Sequence, residues 1–312
     1  MRSFFIKLFI IIASLVIVDF FVGCLGDWII LKQAEKCYTG DTAHLNYCLN
    51  GAKEDIIILG SSEAACAYIP ALISERLFEE TGKEYSVFNA GTTNQRISYC
   101  YCVEQGLIER NKPKVLVLDL VWNYLNPIND DMNNTMMSPL RPYSAVNPYV
   151  EDLLNKNDGK KERLISHCNM YRFNSEIIKY FTFFTKDKVT DGYICYNNKL
   201  PLNSIKQNEA CDDNSIVQSA VDDFECFITL AEENDVKVVC TVTPKFRIMP
   251  TTCNSYQTML KICAEHNIPV CEIYKDSIFD NPLLYYNDAH LNKEGAILST
   301  NILIDTLNEI LK

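Results

Sequence analysis

Four short stretches of this 312-residue chain carry side chains able to perform nucleophilic chemistry or to stabilise it. The first is Gly60-Ser61-Ser62-Glu63, which closes the apolar run Asp55–Gly60 and opens a helical stretch. A serine at that junction meets unsatisfied backbone N–H groups and the positive end of the helix dipole, both of which favour a developing alkoxide or oxyanion. Gly-Ser-Ser also makes ordinary capping turns. The second is Asn89-Ala90-Gly91, where a glycine lets its N–H approach a bound oxygen closely. The third is Val121-Trp122-Asn123, whose asparagine amide could donate to the same oxygen. The fourth is Asn287-Asp288-Ala289-His290-Leu291-Asn292, just ahead of the last helical stretch. His290 is one of four histidines. Its neighbour Asp288 could orient the ring and stabilise the imidazolium. A helix-capping Asn/Asp cluster with an incidental histidine is the plainer reading of that stretch. Taken together, the four supply a nucleophile, oxyanion donors and a base, which is the equipment for acyl transfer through serine.

The elements that must position these residues follow from periodicity. Strands are expected at 55–60, 85–91, 114–122, 236–244 and 268–274, each a near-continuous apolar run. Helices are expected at 67–82, 94–110, 216–234, 256–267 and 292–311. Strands alternating with helices predict a parallel sheet covered on both faces. Ligands of such sheets bind beyond the carboxyl ends of the strands, where Ser62, Gly91 and Asn123 all fall.

Ser, Gly, Asn and His in this order, each at a strand end or before the closing helix, resemble the SGNH/GDSL hydrolase family over residues 55 to 125 and 236 to 311. The resemblance implies a flavodoxin-like three-layer sandwich with a parallel five-stranded sheet in the order 2-1-3-4-5. It implies Ser62 as nucleophile, His290 as base, and an oxyanion hole from the Ser62 N–H, Gly91 and Asn123. The chemistry it implies is acyl-ester hydrolysis or O-acyl transfer, with no metal or organic cofactor. Three departures stand out. Gly-Ser-Ser replaces the family's Gly-Asp-Ser, which looks more like its anchored cell-envelope members. Block three reads Val121-Trp122-Asn123-Tyr124 in place of Gly-x-Asn-Asp. The family's aspartate three residues before the histidine is Asn287 here, and Asp288 is two before. Asn287 can orient the ring through its amide oxygen but brings no charge, so a Ser–His dyad and a triad completed by Asp288 both remain open, as does a catalytically inactive domain that binds glycan or scaffolds an envelope complex.

Residues 4–25 are almost wholly apolar, long enough to cross a bilayer, with Arg2 and Lys7 at the start. The positive-inside tendency predicts a single-pass anchor with a cytoplasmic N-terminus and an extracytoplasmic catalytic domain. A cleaved signal peptide and a lipoprotein site ending at Cys24 are the competing readings. Asp19 lies within the apolar stretch, where a carboxylate usually faces a partner or water. The expected organisation is an anchor over 1–26, an irregular lead-in over 27–53, and an α/β domain over 54–312 with an insertion at about 123–215. That insertion includes a charged patch at Asn155 to Arg163 and is expected to form a small cap or helical subdomain over the functional edge, with an insertion that makes no contact to substrate as the plainer reading. A net charge of −11 without a basic stripe makes nucleic acid a poor partner. An anchored enzyme of this type points instead to an acylated glycan or other ester, with a membrane acyltransferase as a candidate donor. The fourteen cysteines show no metal spacing, and Cys37 with Cys48 is the local pair most suited to a disulfide in an oxidising compartment.

Overall fold

A computed structural model describes residues 1–173, 188–201, 215–246 and 251–312. Along the chain come α1 (Arg2–Gln33), α2 (Asp41–Asn50), β1 (Ile56–Leu59), α3 (Ser62–Ala67), α4 (Pro70–Thr81), β2 (Val87–Asn89), α5 (Ile97–Asn111), β3 (Val115–Asp119), α6 (Asp130–Met137), α7 (Pro148–Asn157), α8 (Lys160–Ser166), α9 (Asn169–Phe173), α10 (Gln218–Glu233), β4 (Lys237–Thr241), α11 (Asn254–Glu265), β5 (Val270–Cys271) and α12 (Lys293–Leu311). They fall into two compact units. One combines Met1–Gly51 with Asp130–Val189, the other Ala52–Asn129 with Thr190–Lys312.

The second unit is built on a five-stranded sheet in the order β2-β1-β3-β4-β5. Every pairing is parallel, with Ile57 opposite Phe88 and Leu116, and Leu118 opposite Cys240. Helices cover both faces, so this is the expected three-layer sandwich. All residues of β1 and β3 are buried, as a doubly covered parallel sheet requires. Ile56, Ile58, Val115, Val117 and Val239 pack with Ile73 and Leu77 of α4 and Leu303 and Leu307 of α12. Their sequence neighbours Ile57, Leu116 and Val238 point to the other face by the two-residue strand period, and they are buried too.

Two boundaries differ from expectation for clear reasons. The stretch 67–82 is not one helix: Ala67 ends α3, and α4 starts at Pro70 because a proline forces the preceding Ile69 into an extended backbone. That break separates α3, which starts at Ser62, from α4. β5 spans two residues, since the chain turns into a 3-10 segment at Ile273–Lys275.

In the first unit, α1 is 32 residues long and apolar enough to span a membrane. The irregular lead-in expected over 27–53 is instead helical in large part. α1 continues to Gln33 because Gly26, Ile29 and Ile30 bury themselves inside the unit. α2 follows, and Asn46 donates to the Ile30 carbonyl at 2.9 Å. The segment reads as polar in sequence because its buried positions mix Asn46, Tyr47 and Cys48 with Leu45 and Leu49. Asp19 finds its hydrogen-bond partners within the chain, at Cys168, Asn169 and Met170. Cys37 and Cys48 are both thiols rather than a disulfide; the Cys37 Sγ lies 4.0 Å from His44 Nδ1. Cys253 is disulfide-bonded. Of the insertion at 123–215, Asp130–Val189 groups with the N-terminal helices, while 174–187 and 202–214 lie outside the described residues.

Candidate active site

The site assembles at the carboxyl ends of the strands of the second unit. β1 runs into Gly60, whose φ of +152° is a conformation that glycine tolerates best. A Cβ there would lie 2.8 Å from the Ala64 Cβ and 3.0 Å from the Asp119 Cβ. The sharp exit lets Ser61 cap α3, its hydroxyl accepting from the Glu63 N–H at 3.2 Å. Ser62 is then the first residue of α3 and remains partly exposed, while Ser61 and Glu63 on either side are buried.

His290 arrives from the other end of the chain on the loop before α12, which Asn292 caps by accepting from the Gly295 N–H at 3.1 Å. The His290 Nε2 lies 2.8 Å from Ser62 Oγ. Its Nδ1 lies 2.9 Å from Asn287 Oδ1. That same oxygen accepts the backbone N–H groups of Ala289 at 3.0 Å and His290 at 2.9 Å. Two N–H donors at one atom identify it as the amide oxygen, because an amide NH₂ can accept neither. Nδ1 must therefore carry the ring proton and donate it to Asn287. Nε2 is left with a lone pair, and Ser62 donates its hydroxyl proton to that lone pair. The tautomer needed for a general base is thus set by the loop backbone acting through Asn287.

The ring is held from the side as well. Tyr196 stacks on Tyr286 with centroids 4.2 Å apart, and sits edge-on to His290 at 6.1 Å. The Tyr286 N–H donates to the His290 carbonyl at 2.9 Å. Burial holds the His290 pKa below its usual value of 6.5. The charge of Glu63 pushes it up, that of Lys245 down, and that of Asp288 up least of all. Glu63 and Lys245 form a 2.6 Å ion pair, each side chain 11% exposed. The pair places an anion and a cation together beside the His290 ring.

The remaining expected residues are not part of the Ser62–His290–Asn287 line. Asp288 does not hold the ring: two residues before His290 it offers its backbone carbonyl to the Phe246 N–H at 2.9 Å, and Asn287 occupies Nδ1. Asp288 does not complete a triad in this geometry; Ser62 and His290 form a pair whose ring is oriented by the uncharged amide of Asn287. The Gly91 N–H donates to Asn89 Oδ1 at 3.0 Å rather than into open space. Its lack of a side chain serves close packing, since a Cβ would sit 2.5 Å from Ala65 N and 2.9 Å from the Ser61 carbonyl. Asn89 in turn donates to the Ala64 and Tyr68 carbonyls at 2.8 and 2.9 Å, tying β2 to α3. Asn123 lies in the turn after β3, where Arg96 holds its backbone carbonyl.

Sequence reasoning missed several groups here. Asp119 ends β3 wholly buried, one carboxylate oxygen accepting from Tyr68 at 3.1 Å, Thr241 at 2.9 Å and the Thr243 hydroxyl at 2.7 Å. Burial pushes its pKa up to about 7. Lys245 and Thr243 lie just past β4. The strand-end rule that selected Ser62 would have selected them, had it been applied to the fourth strand.

The sequence matches no family model and no curated protein. Among solved structures, the chain is similar to the psychrotrophic esterase EstA from Pseudoalteromonas sp., at 11% identity over 82% of this chain and 97% of that chain, with a TM-score of 0.44. It is similar to the lipase/acylhydrolase from Enterococcus faecalis, at 13% identity over 81% and 95%, with a TM-score of 0.41. It is also similar to a GDSL-like lipase from Bacteroides thetaiotaomicron, at 11% identity over 82% and 88%, with a TM-score of 0.38.

Proposed function

We propose that the second unit is a serine-dependent acyl-ester hydrolase or O-acyltransferase that works through an acyl-enzyme on Ser62. Its substrate is an acylated cell-envelope glycan, and α1 holds the chain in the membrane with the N-terminus cytoplasmic and the catalytic unit outside. The observation that carries the chemistry is the hydrogen-bonded line from Ser62 Oγ through the His290 ring to Asn287 Oδ1.

In the first step His290 Nε2 takes the Ser62 proton as Oγ attacks the ester carbonyl carbon. The carbonyl π electrons move to oxygen, and the Ser62 N–H at the head of α3 faces the new oxyanion with Asn123 as a second donor. The imidazolium hands its proton to the departing alkoxide as the tetrahedral centre collapses to the acyl-enzyme. Water or a sugar hydroxyl, deprotonated by His290, then attacks the acyl carbon and Ser62 leaves with the proton. Water makes the protein a hydrolase; a sugar hydroxyl makes it a transferase, and a membrane acyltransferase would be the source of acyl groups. Asn287 brings a dipole but no charge to the imidazolium, so Glu63 and Asp288 supply the negative potential around it.

A fluorophosphonate probe should label the wild-type protein and leave Ser62→Ala unlabelled; an unlabelled wild type would overturn the assignment. The inactive glycan-binding alternative draws on Gly91, whose N–H is turned to Asn89. Wild-type protein that binds glycan yet takes no probe would establish that alternative. Acetyl content of surface polysaccharide in a deletion strain separates hydrolase, where it rises, from transferase, where it falls.

A further inference from the structure

The charged patch at Asn155 to Arg163 finds no use in acyl transfer, and it lies in the unit that contains α1. There α9 packs directly on the distal half of that helix. A Cβ at Gly23 would lie 2.6 Å from the Asn169 Cγ, and one at Gly26 would lie 2.1 Å from the Phe173 Cζ. The two glycines therefore form a notch that seats α9. Asp19 accepts hydrogen bonds from the Asn169 and Met170 N–H groups at 3.1 and 2.8 Å and from Cys168 Sγ at 3.1 Å. Asp27 and Arg172 add a two-pronged ion pair at 2.7 and 3.1 Å.

These contacts fix the depth of α9 in a bilayer. At 1.5 Å per residue, about 20 residues cross the hydrocarbon; counted from Phe4 they end at Gly23. Asp19 and the Met170 N–H bonded to it thus lie one helical turn, about 6 Å, inside the outer hydrocarbon boundary, among the upper acyl chains. Trp28, 54% exposed, follows at headgroup height, where tryptophan is favoured. At that depth Met170 is 50% exposed, and Leu164 of α8, the helix packed against α9, is 73% exposed. Beside Leu164, α8 presents exposed Lys160, Lys161 and Arg163 in a chain of net charge −11. Apolar tips next to a cationic cluster match the boundary of an anionic lipid layer.

We propose that α8 and α9 form a lipid-binding collar, with Leu164 and Met170 inserted at the acyl boundary and Lys160, Lys161 and Arg163 paired with anionic headgroups of the membrane that α1 crosses. The proposal rests on the reading of α1 as a retained anchor. It gives Asp19 a role within the chain: its carboxylate is satisfied by the collar, which holds the collar at the interface.

The test uses the full-length protein in phosphatidylcholine vesicles, with and without phosphatidylglycerol, containing lipid brominated in the upper acyl chain. Leu164→Trp and Met170→Trp should each add emission that the bromines quench by about twofold, while free N-acetyltryptophanamide in the same suspension is not quenched. Lys160→Glu with Lys161→Glu and Arg163→Glu should reduce the phosphatidylglycerol-dependent part of that quenching about fivefold or more. Added emission that resists bromine but yields to aqueous iodide overturns the collar, and so does emission shielded from both, which would mean protein cover. A charge-reversed protein that keeps its preference for anionic vesicles overturns the headgroup pairing. Alkaline carbonate extraction separates the two readings: a chain that is released refutes the anchor itself, whereas a chain that stays embedded with unquenched tryptophans refutes the collar alone.

Discussion

The two units solve the same problem, holding a polar group in place, in opposite ways. In the N-terminal unit carboxylates do the holding. Asp19 collects donors from Cys168, Asn169 and Met170, and Asp27 takes both prongs of the buried Arg172 guanidinium. In the sheet unit the group that matters is His290, and its holder is the neutral amide of Asn287. A structural clamp gains from full charge, because charge-assisted hydrogen bonds are the strong ones. A base must stay neutral until it is used. An amide whose oxygen is fixed by two backbone N–H groups sets the ring's tautomer without raising its proton affinity as a carboxylate would. Orientation and charge are thus separable duties, and this chain assigns them to different residues.

The largest expected effect tests the catalytic side of that contrast. Ser62→Ala and His290→Ala should each lower kcat for an acyl ester by about 10⁴-fold or more, and by similar factors, because a nucleophile and its base act as a unit. Retention of activity by either variant would remove the site from the comparison. Next comes Asn287→Ala, which releases the ring and should cost about 10²-fold in kcat/KM. Asn287→Asp should keep kcat at neutral pH within about tenfold while moving the acid limb of the profile to higher pH, since an added anion favours the imidazolium. In the wild type that limb lies below pH 6.5, because burial lowers the His290 pKa. Activity is full above that pKa and is lost as pH falls through it. An Asn287→Asp profile superimposable on the wild type would show that Asn287 does not separate orientation from charge.

The clamp side predicts a smaller change of a different kind. Arg172→Ala leaves Asp27 without its guanidinium and should destabilise the N-terminal unit by about 2 kcal/mol, a figure reduced because the Asp27 side chain is 28% exposed. Limited proteolysis in membranes should show faster cutting between α6 and α9, with turnover of a small soluble ester unchanged. A parallel loss of turnover would break the division of labour between the units. The smallest effect concerns a carboxyl that neither unit's scheme uses. Glu104 of α5 is fully buried with no hydrogen-bond partner for either oxygen, and burial raises its pKa to about 10. It stays protonated when folded but ionises from about pH 4.5 when unfolded, so its contribution to stability falls as pH rises between those values. Glu104→Met should therefore stabilise the protein by about 1–2 kcal/mol at pH 8 and flatten that pH dependence, as read by denaturant unfolding in detergent.

Much of the sheet unit was legible beforehand because each of the first four strands is a near-continuous apolar run closed by glycine, asparagine or proline. Ile56–Leu59 and Val115–Asp119 announce themselves, and so does Ser62 behind Gly60. The errors lie where local signals conflict with packing. Pro70 splits what periodicity reads as one helix from 67 to 82. The stretch after residue 26 looks irregular because Ile29, Ile30 and Asn46 are buried against partners more than a helical turn away in sequence.

The sequence by itself determined the parallel sheet and the apolar length of α1, since these follow from period and composition, while the strand order came from the resemblance to the SGNH/GDSL family. It brought Ser62 and His290 into one hypothesis. Only the tertiary structure decided that Asn287, rather than Asp288, takes the His290 ring proton. Residues two and three positions before the histidine are indistinguishable until the loop's turn is known, and here two backbone N–H groups converge on the Asn287 oxygen. Likewise only the fold decided that Asp19 is answered by residues about 150 positions away. Pairings across such separations depend on which helices pack together, and no local pattern records that.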